Sequence, residues 1–571
     1  MLRSLSGTSS QRRNGPDASP DSGGLSGTAR KLATAVSKFA EQYLGEPRFP
    51  RAPKIIHDAI WGTQSLYGNE VAILDTPLLQ RLRQIHQTGF TYLTFPSVTH
   101  TRFDHTLGVL YQADRLARSL LDKYLERGDK TIVDLQSIRR LRVAALLHDC
   151  SHGPFSHTSE EYYKTFPEIQ EYIGANKKQF EAASASEVLA HLILTSEPFK
   201  EFLRKLEANT ALGLEADWLA QMITGQLKTS LTGHYQLILN GPFDADKLDY
   251  IFRDGHYSGL PLGVDLDRLY LKTEIHVINQ QNIPKKSPTF TGEMRRLVMA
   301  RPGINSLEQI VAARMNLTAS LYHHHKIRAC DCMLKGLFLF CRENGEELCG
   351  RRVETAADFL HLTDFKILGG ADIAKGAVGE MLGNIVNRRL YKRALVISMN
   401  SFERPESEEE TEIGEKRELN RVDKLIQLPF SDQRKLAEEI WLAAGKPGRK
   451  EEVWLDFPRE PKTKDLADTF VNVGSIDKPV FRTLEQFIPI DQWQKQYLQQ
   501  KWRGHVFCRE EHLSKITPAA VDVLSKEYKI SFTEFAYTHA NLMPPSPTRP
   551  LPPKSVKNSK TRSQKVKVGK S

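Results

Sequence analysis

The chain has 571 residues, 40% of them hydrophobic, which is enough to bury a sizeable interior and too many for one small core. Its formal charge of +10 sits at the ends: from Thr548 onward there are eight basic residues and no acid, the first 31 residues carry a net +3, and about −1 is left between. The basic balance therefore says little about the folded body, while six Cys in so long a chain, with no signal peptide or long apolar run, exclude a disulfide framework and a membrane span and point to a cytoplasmic, reducing compartment.

Residues 1–27 are rich in Ser, Gly, Asn and Asp without periodicity and read as disordered. Leu32, Val36, Phe39, Tyr43 and Leu44 then recur at helical spacing, predicting a short amphipathic helix that docks on the body, since its polar face is mixed in charge. From Lys54 the pattern reads as helical throughout. Thr76-Pro77 opens a helix with Leu78, Leu79, Leu82 and Ile85 on one face, and Thr99–Val109 leads into another through Leu107, Leu110 and Ala113. Helices are expected next over Leu141–His148, Glu181–Leu194 and Asp217–Ile223. A Gly241-Pro242-Phe243 turn comes before Asp244–Asp254, and one or two long helices fill Leu307–Phe340. Glu403–Glu418 is an acid-rich run broken by Pro405 and Gly414. Val453–Phe457 alternates like a strand, and Phe487, Trp493, Tyr497, Leu498 and Trp502 predict a packed helix. A Pro-rich basic tail follows Leu542. It has no aromatic residue after Ser546, so base stacking is not supported there.

The chemistry concentrates in Leu146–His157, LLHDCSHGPFSH. An apolar helical run ends at His148 and Asp149, and the Gly-Pro that follows loosens the backbone so that two adjacent ligand-type side chains reach one ion. Three His and one Asp within ten positions are costly to bury without a task. Further along the chain in both directions stand His105 and Asp246. Two imidazoles and two carboxylates suit Fe, Mn, Zn or Ni more than Ca, and they leave open positions for water and a phosphate oxygen. His152, His157 and Glu160 are spaced to face the same cavity for acid/base work, and Arg102 and Lys247 lie beside the ligands as anion holders. His323–His325 with Cys330 and Cys332 invites a zinc site, but on a helix the two Cys point about 200° apart, which favours core thiols.

His105, His148-Asp149 and Asp246, with LDTPLLQRLRQIHQTG (Leu74–Gly89), TRFDHTLGV, LLHDCSHGPFSH and DADKLDYIFRD, resemble the HD-domain phosphohydrolases, and most of all the branch of SAM- and HD-domain deoxynucleoside triphosphate triphosphohydrolases, here with no SAM module before the core. The resemblance covers roughly Lys54 to Phe340. It implies a mainly α fold: a disordered tail ending in a short helix (1–45), an HD-domain catalytic core (46–400), a smaller α+β C-terminal region (401–542) and a disordered basic tail (543–571). It also implies one divalent metal ion (Mn, Fe, Zn, Ni or Mg) on His105, His148, Asp149 and Asp246, and His152, His157 and Glu160 at the α-phosphate, with Glu160 where the family more often has Asp. Arg102, Lys247 and Tyr250 would hold triphosphate and sugar, Gln87 the sugar 3′-hydroxyl, and His325-Lys326 the nucleotide. Lys54, Asp75, Gln80 and Arg83 are similar to positions lining a regulatory nucleotide pocket, although Asp75 and Arg83 equally suit an intramolecular salt bridge. Members of this type release nucleoside and intact tripolyphosphate, and many form homo-oligomers gated by a nucleotide activator.

One departure stands out. Where the family carries His-Glu-x-x-Ser with a catalytic His, this chain reads Phe180-Glu181-Ala182-Ala183-Ser184, and Phe180 cannot transfer a proton. Three readings stay open: a deoxynucleoside triphosphate hydrolase, a phosphohydrolase of nucleoside monophosphates or cyclic nucleotides, and a catalytically weak nucleotide sensor or nucleic-acid-binding protein.

Overall fold

In the computed structural model, the residues described are 26–180, 183–227, 230–283, 293–403, 412–459, 466 and 469–538. Of the expected disordered stretch 1–27, residues 1–25 lie outside them, as do the basic tail after Leu542 and 404–411, half of the acid-rich run Glu403–Glu418, whose remainder from Glu412 opens helix Glu412–Ile426 rather than a loop. The fold is mainly helical with small sheets.

The central packing unit is three helices, Arg102–Glu126, Leu135–Leu147 and Ala245–Ser258. The first starts where Thr101 and Asp104 bond reciprocally to each other's backbone N–H, and the third where Asp244 accepts from the Lys247 N–H. These caps satisfy donors that the first helical turn leaves unpaired. Leu110, Leu116, Leu120, Leu141, Leu146 and Leu248 fill the contact between them and are fully buried or nearly so. Gly108 allows the close approach of the first and third helices, because any side chain there would collide with the Asp249 carboxylate and the Arg253 guanidinium.

The predicted N-terminal amphipathic helix spans Gly27–Leu44 and docks through Leu32, Val36 and Phe39 against helices Pro167–Ala175 and Glu197–Thr210. The run after Lys54 is not helical: Lys54–Asp58 and Gly62–Leu66 form an antiparallel hairpin. Its turn is set by the Asp58 carboxylate, which accepts from the backbone N–H groups of Ile60 and Trp61, a local bond that competes with helix formation. The helix opened by Thr76-Pro77 is only Pro77–Gln80 before it tightens into a 3₁₀ turn, Arg81–Gln84.

Strands inside the expected helical core are a further correction. Met294–Ala300 lies between Thr273–Ile278, antiparallel, and Phe470–Asn472, parallel; Phe481–Thr483 then adds antiparallel at the edge. Near the C-terminus, Gly504–Cys508 is the central strand between Lys392–Ile397 and Trp454–Asp456. This sheet shares a second core with helices Phe430–Ala443 and Leu513–Tyr528, built on Leu395, Ile440, Leu455, Trp502, Val506 and Ile516. The segment after residue 401 thus adds strands to the sheet of the preceding half as well as forming its own lobe. The expected packed helix is Ile490–Gln500, with Tyr497 and Leu498 buried. Cys330 and Cys332 are fully buried on helix His325–Asn344, as helix-core thiols.

Candidate metal centre and nucleotide cavity

His105 stands in the first turn of Arg102–Glu126, His148 and Asp149 where Leu135–Leu147 gives way to the turn, and Asp246 in the first turn of Ala245–Ser258. The four side chains converge. The Asp149 Oδ2 atom is 3.7 Å from His105 Nε2 and 3.5 Å from His148 Nε2, and Asp246 Oδ1 is 2.9 Å from His105 Nε2. The two imidazoles meet edge to face at 5.4 Å.

The donor set fits a divalent cation. His105 Nδ1 lies 2.7 Å from Asp249 Oδ2 and His148 Nδ1 lies 2.7 Å from the Ala145 carbonyl, so each ring gives its N–H away from the centre and keeps a bare Nε2 toward it. Both Nε2 atoms are buried: that of His148 has no hydrogen-bond partner and that of His105 faces the Asp246 carboxylate, an arrangement that is costly for a polar atom unless a ligand takes its lone pair. The electrostatics agree. Burial alone would lower the His105 pKa, but the carboxylates of Asp246 and Asp249 outweigh it and push it up to about 10. That potential attracts a proton or, with more charge, a metal ion. Burial likewise works to raise the Asp149 pKa, yet Arg102 and the neighbouring His hold the carboxyl well below its usual range.

Behind His105 is a buried relay that sequence reasoning missed. Asp249 also accepts from Arg253 Nε at 2.9 Å and from the Trp61 indole at 2.5 Å, and Arg253 reaches Asp58 Oδ2 at 2.9 Å. The hairpin therefore fixes the ring orientation of a proposed ligand.

The turn after Asp149 is strained in a useful way. Phe155 and Ser156 have φ of 53° and 54°, a region side-chain-bearing residues rarely adopt. The Asp364 carboxylate accepting from the Phe155 N–H holds it, as does Ser156 Oγ donating to the His86 carbonyl. Ser156 Oγ in turn accepts from Arg102 Nε at 2.9 Å, while Arg102 Nη1 bonds Asp149 Oδ2 at 2.6 Å. Arg102 Nη2 is left buried without a partner.

A cavity of about 440 Å³ opens onto this centre. Among the predicted site residues, Gln87, Arg102, Asp149, His157, Asp246 and Tyr250 line it. Gln87 Oε1 is buried without a hydrogen-bond partner. His152 sits at the edge of the centre, its Nε2 3.1 Å from Asp149 Oδ1; burial, helped by Arg102, lowers its pKa to about 4 and keeps the ring neutral. His157 is largely exposed, its Nδ1 2.8 Å from Glu160 Oε2, and its ring is 5.3 Å from that of His152. Glu160 Oε1 accepts from both the N–H and the hydroxyl of Ser186.

Other predicted residues lie elsewhere. Lys247 Nζ turns away to donate to the Gly241 carbonyl and to Asp244, so it does not border the cavity as described; a short helical turn places it over its own cap. His325 and Lys326 are also outside the lining, correcting the expectation that they face the nucleotide: His325 stacks on His324, and the cavity is reached instead by Tyr322, His323, Arg328 and Asp331 on either side of them. A π-helical turn, Thr318–Tyr322, sets this phase, and no local sequence signal marks it. Arg314, one helix earlier, also lines the cavity. Of the expected regulatory positions, Lys54 pairs with Asp75 at 2.9 Å and Arg83 with Gln80 at 2.9 Å, so the suggested Asp75–Arg83 bridge is not formed. Phe180 is buried between Tyr172 and His191, in core packing.

Comparison with known proteins fits this geometry. Residues 102–214, which hold His105, His148 and Asp149, match the model of the HD domain, and residues 289–422 match that of an HD associated region. Residues 102–214 thus read as an HD domain, and the chain is similar to the HD-domain phosphohydrolases. The HD match ends before Asp246, so the fourth member of the cluster comes from the helical extension beyond it. This HD protein is 28% identical over 370 residues to the deoxynucleoside triphosphate triphosphohydrolase SAMHD1 of Mus musculus, covering 59% of the chain and 53% of that protein. It is 32% identical over 368 residues to SAMHD1 of Gallus gallus (59% and 55%) and 27% identical over 347 residues to an uncharacterised protein of Methanocaldococcus jannaschii (60% and 60%). The matches thus span between half and three-fifths of these relatives' length. Among the described residues, no helix is long and apolar enough to cross a membrane.

Proposed function

We propose that this chain hydrolyses deoxynucleoside triphosphates with one divalent ion, giving nucleoside and tripolyphosphate. The observation that carries the reading is the pairing of a four-residue ligand cluster, with two bare imidazole nitrogens, and a cavity whose wall offers a buried, unpartnered Arg102 N–H and an unpartnered Gln87 oxygen. The first suits an ion, the second a phosphate oxygen, and the third a sugar hydroxyl. The names of the SAMHD1 relatives support the same substrate class.

His105, His148, Asp149 and Asp246 would hold the ion, which when bound supplies the positive charge that draws a phosphoryl oxygen and activates water. Arg102 grips the α-phosphate side while remaining locked to Asp149 and Ser156. His157, oriented by Glu160, and the neutral His152 exchange protons with the reacting oxygens, the roles left once Phe180 is removed from proton transfer. Lys54, Asp75, Gln80 and Arg83 are kept as a proposed nucleotide-responsive surface. Purified protein with Mn or Mg and each deoxynucleoside triphosphate should yield nucleoside and tripolyphosphate, and Asp149→Ala should abolish it. Phosphate release without tripolyphosphate would favour another HD phosphohydrolase activity.

Phe180 favours a second reading, a nucleotide sensor with little turnover. It predicts saturable nucleotide binding and no product.

A further inference from the structure

A charged cluster at the wall of the cavity belongs to none of these roles. Arg328, on helix His325–Asn344, faces the cavity, but its guanidinium is taken by Asp456 from behind: Nε to Oδ2 at 3.0 Å and Nη2 to Oδ1 at 2.6 Å. Asp456 is 3% exposed and ends the strand Trp454–Asp456 of the C-terminal lobe, beside His505 on the neighbouring strand. The same guanidinium lies 3.4 Å from Asp331 Oδ2 and 3.6 Å from Glu161 Oε2, and Lys335 Nζ bonds Glu161 at 2.9 Å. Asp331 Oδ1 accepts from Thr158 Oγ1 at 2.7 Å, and Thr158 directly follows His157.

Two physical consequences follow. A guanidinium in a phosphate cavity is a bidentate anion trap unless its charge is spent. Here three carboxylates face two cations, so this wall does not compete with Arg102 for the triphosphate. The contacts also run unbroken from the C-terminal sheet through Arg328, Asp331 and Thr158 to the short helix His157–Tyr163, which bears His157 and Glu160.

We propose that Asp456 is a positioning residue for the nucleotide cavity: by neutralising and fixing Arg328 it keeps phosphate at the metal end and holds the His157 helix in register. This rests on the nucleotide reading for its first half, while the second half stands on geometry alone. Tyr497 of the same lobe makes an analogous contact to the cavity residue His323, at 2.7 Å from its Nδ1.

The test compares wild type with Asp456→Asn, Asp456→Glu, Arg328→Gln and the combined Asp456→Asn/Arg328→Gln variant. Amide hydrogen exchange in 157–163 should be at least about tenfold faster in Asp456→Asn, with 102–126 unchanged, Mn titration of the metal centre unaltered, and rates restored toward wild type in Asp456→Glu. With deoxynucleoside triphosphate, KM should rise about tenfold in Asp456→Asn, and the combined variant should be no worse than Arg328→Gln alone. Should Asp456→Asn not fold, Arg328→Lys, which keeps the charge and loses the bidentate pair, should give the same exchange change. Faster exchange limited to 325–344 and 454–456, or additive effects in the combined variant, would overturn the proposal. Absence of turnover in wild type would sink the hydrolase reading instead, leaving the exchange result to decide this one.

Discussion

His105 Nδ1 lies 2.7 Å from the carboxylate of Asp249, a residue four positions from a helix start and 144 from the imidazole it orients. That bond leaves His105 Nε2 as the ring nitrogen turned toward the proposed metal centre. Replacing Asp249 by Asn should lower Mn affinity by about 10–100-fold, as losing the partner of a ligating His does. Asp249→Ala should also take away one of the two carboxylates that pair with the buried Arg253, leaving it on Asp58 alone, and so destabilise the fold. Manganese titration followed by electron paramagnetic resonance, with urea unfolding alongside, separates the two effects.

Arg102 combines a structural bond to Asp149 with a spare N–H toward the cavity. Removing one preorganised donor of this kind costs about 10²–10³ in rate. Arg102→Gln should therefore reduce kcat/KM for a deoxynucleoside triphosphate by that factor, read in a coupled product assay. An unchanged value would place the triphosphate elsewhere.

Gly108 predicts a packing failure. Gly108→Ala must push helix Ala245–Ser258 away from Arg102–Glu126, at about 1–3 kcal/mol for an overpacked contact. Asp246 rides on the displaced helix, so metal binding should weaken together with the melting temperature.

Glu160 sets a pH dependence. Burial would raise its pKa, but the hydrogen bond from His157 and the Ser186 N–H hold the carboxyl below its ordinary value of 4.5. A depressed carboxyl pKa adds stability that is fully present above the unfolded value and is lost as pH falls through the folded one. The stability difference between wild type and Glu160→Gln should thus be largest near neutrality and shrink below about pH 4. A difference that grows with acid would reverse the sign of the argument.

The Lys54–Asp75 pair is about 40% exposed on both sides. Such a pair contributes about 0–1 kcal/mol, so Lys54→Ala should leave unfolding nearly unchanged. If this surface senses nucleotide, the same variant should lose any nucleotide-driven assembly seen by light scattering of the wild type.

The convergence of His105, His148, Asp149 and Asp246 was legible in the sequence because these ligand-type residues stand in three short motifs, each opening or closing a helix. The N-terminal helix was legible from its period. The hairpin at Lys54–Leu66 was not, since its strands bury little: Ile55 is 69% exposed, and the apolar alternation that marks a strand is missing. The Asp58 and Gly62 that bracket its turn were the available signal. The cavity wall at Arg314, His323 and Arg328 depends on a π-turn and on a strand more than a hundred residues away, which no local spacing encodes. Lys247 was misplaced because adjacency to a ligand says nothing about which way a long side chain turns.

The parallel pairing of Met294–Ala300 with Phe470–Asn472 has a consequence for synthesis. The inner strand has an open edge until some 170 further residues have left the ribosome, so the amino-terminal half cannot finish folding first. Chains truncated before Phe470–Asn472 should expose that edge and aggregate, whatever chemistry their amino-terminal residues encode.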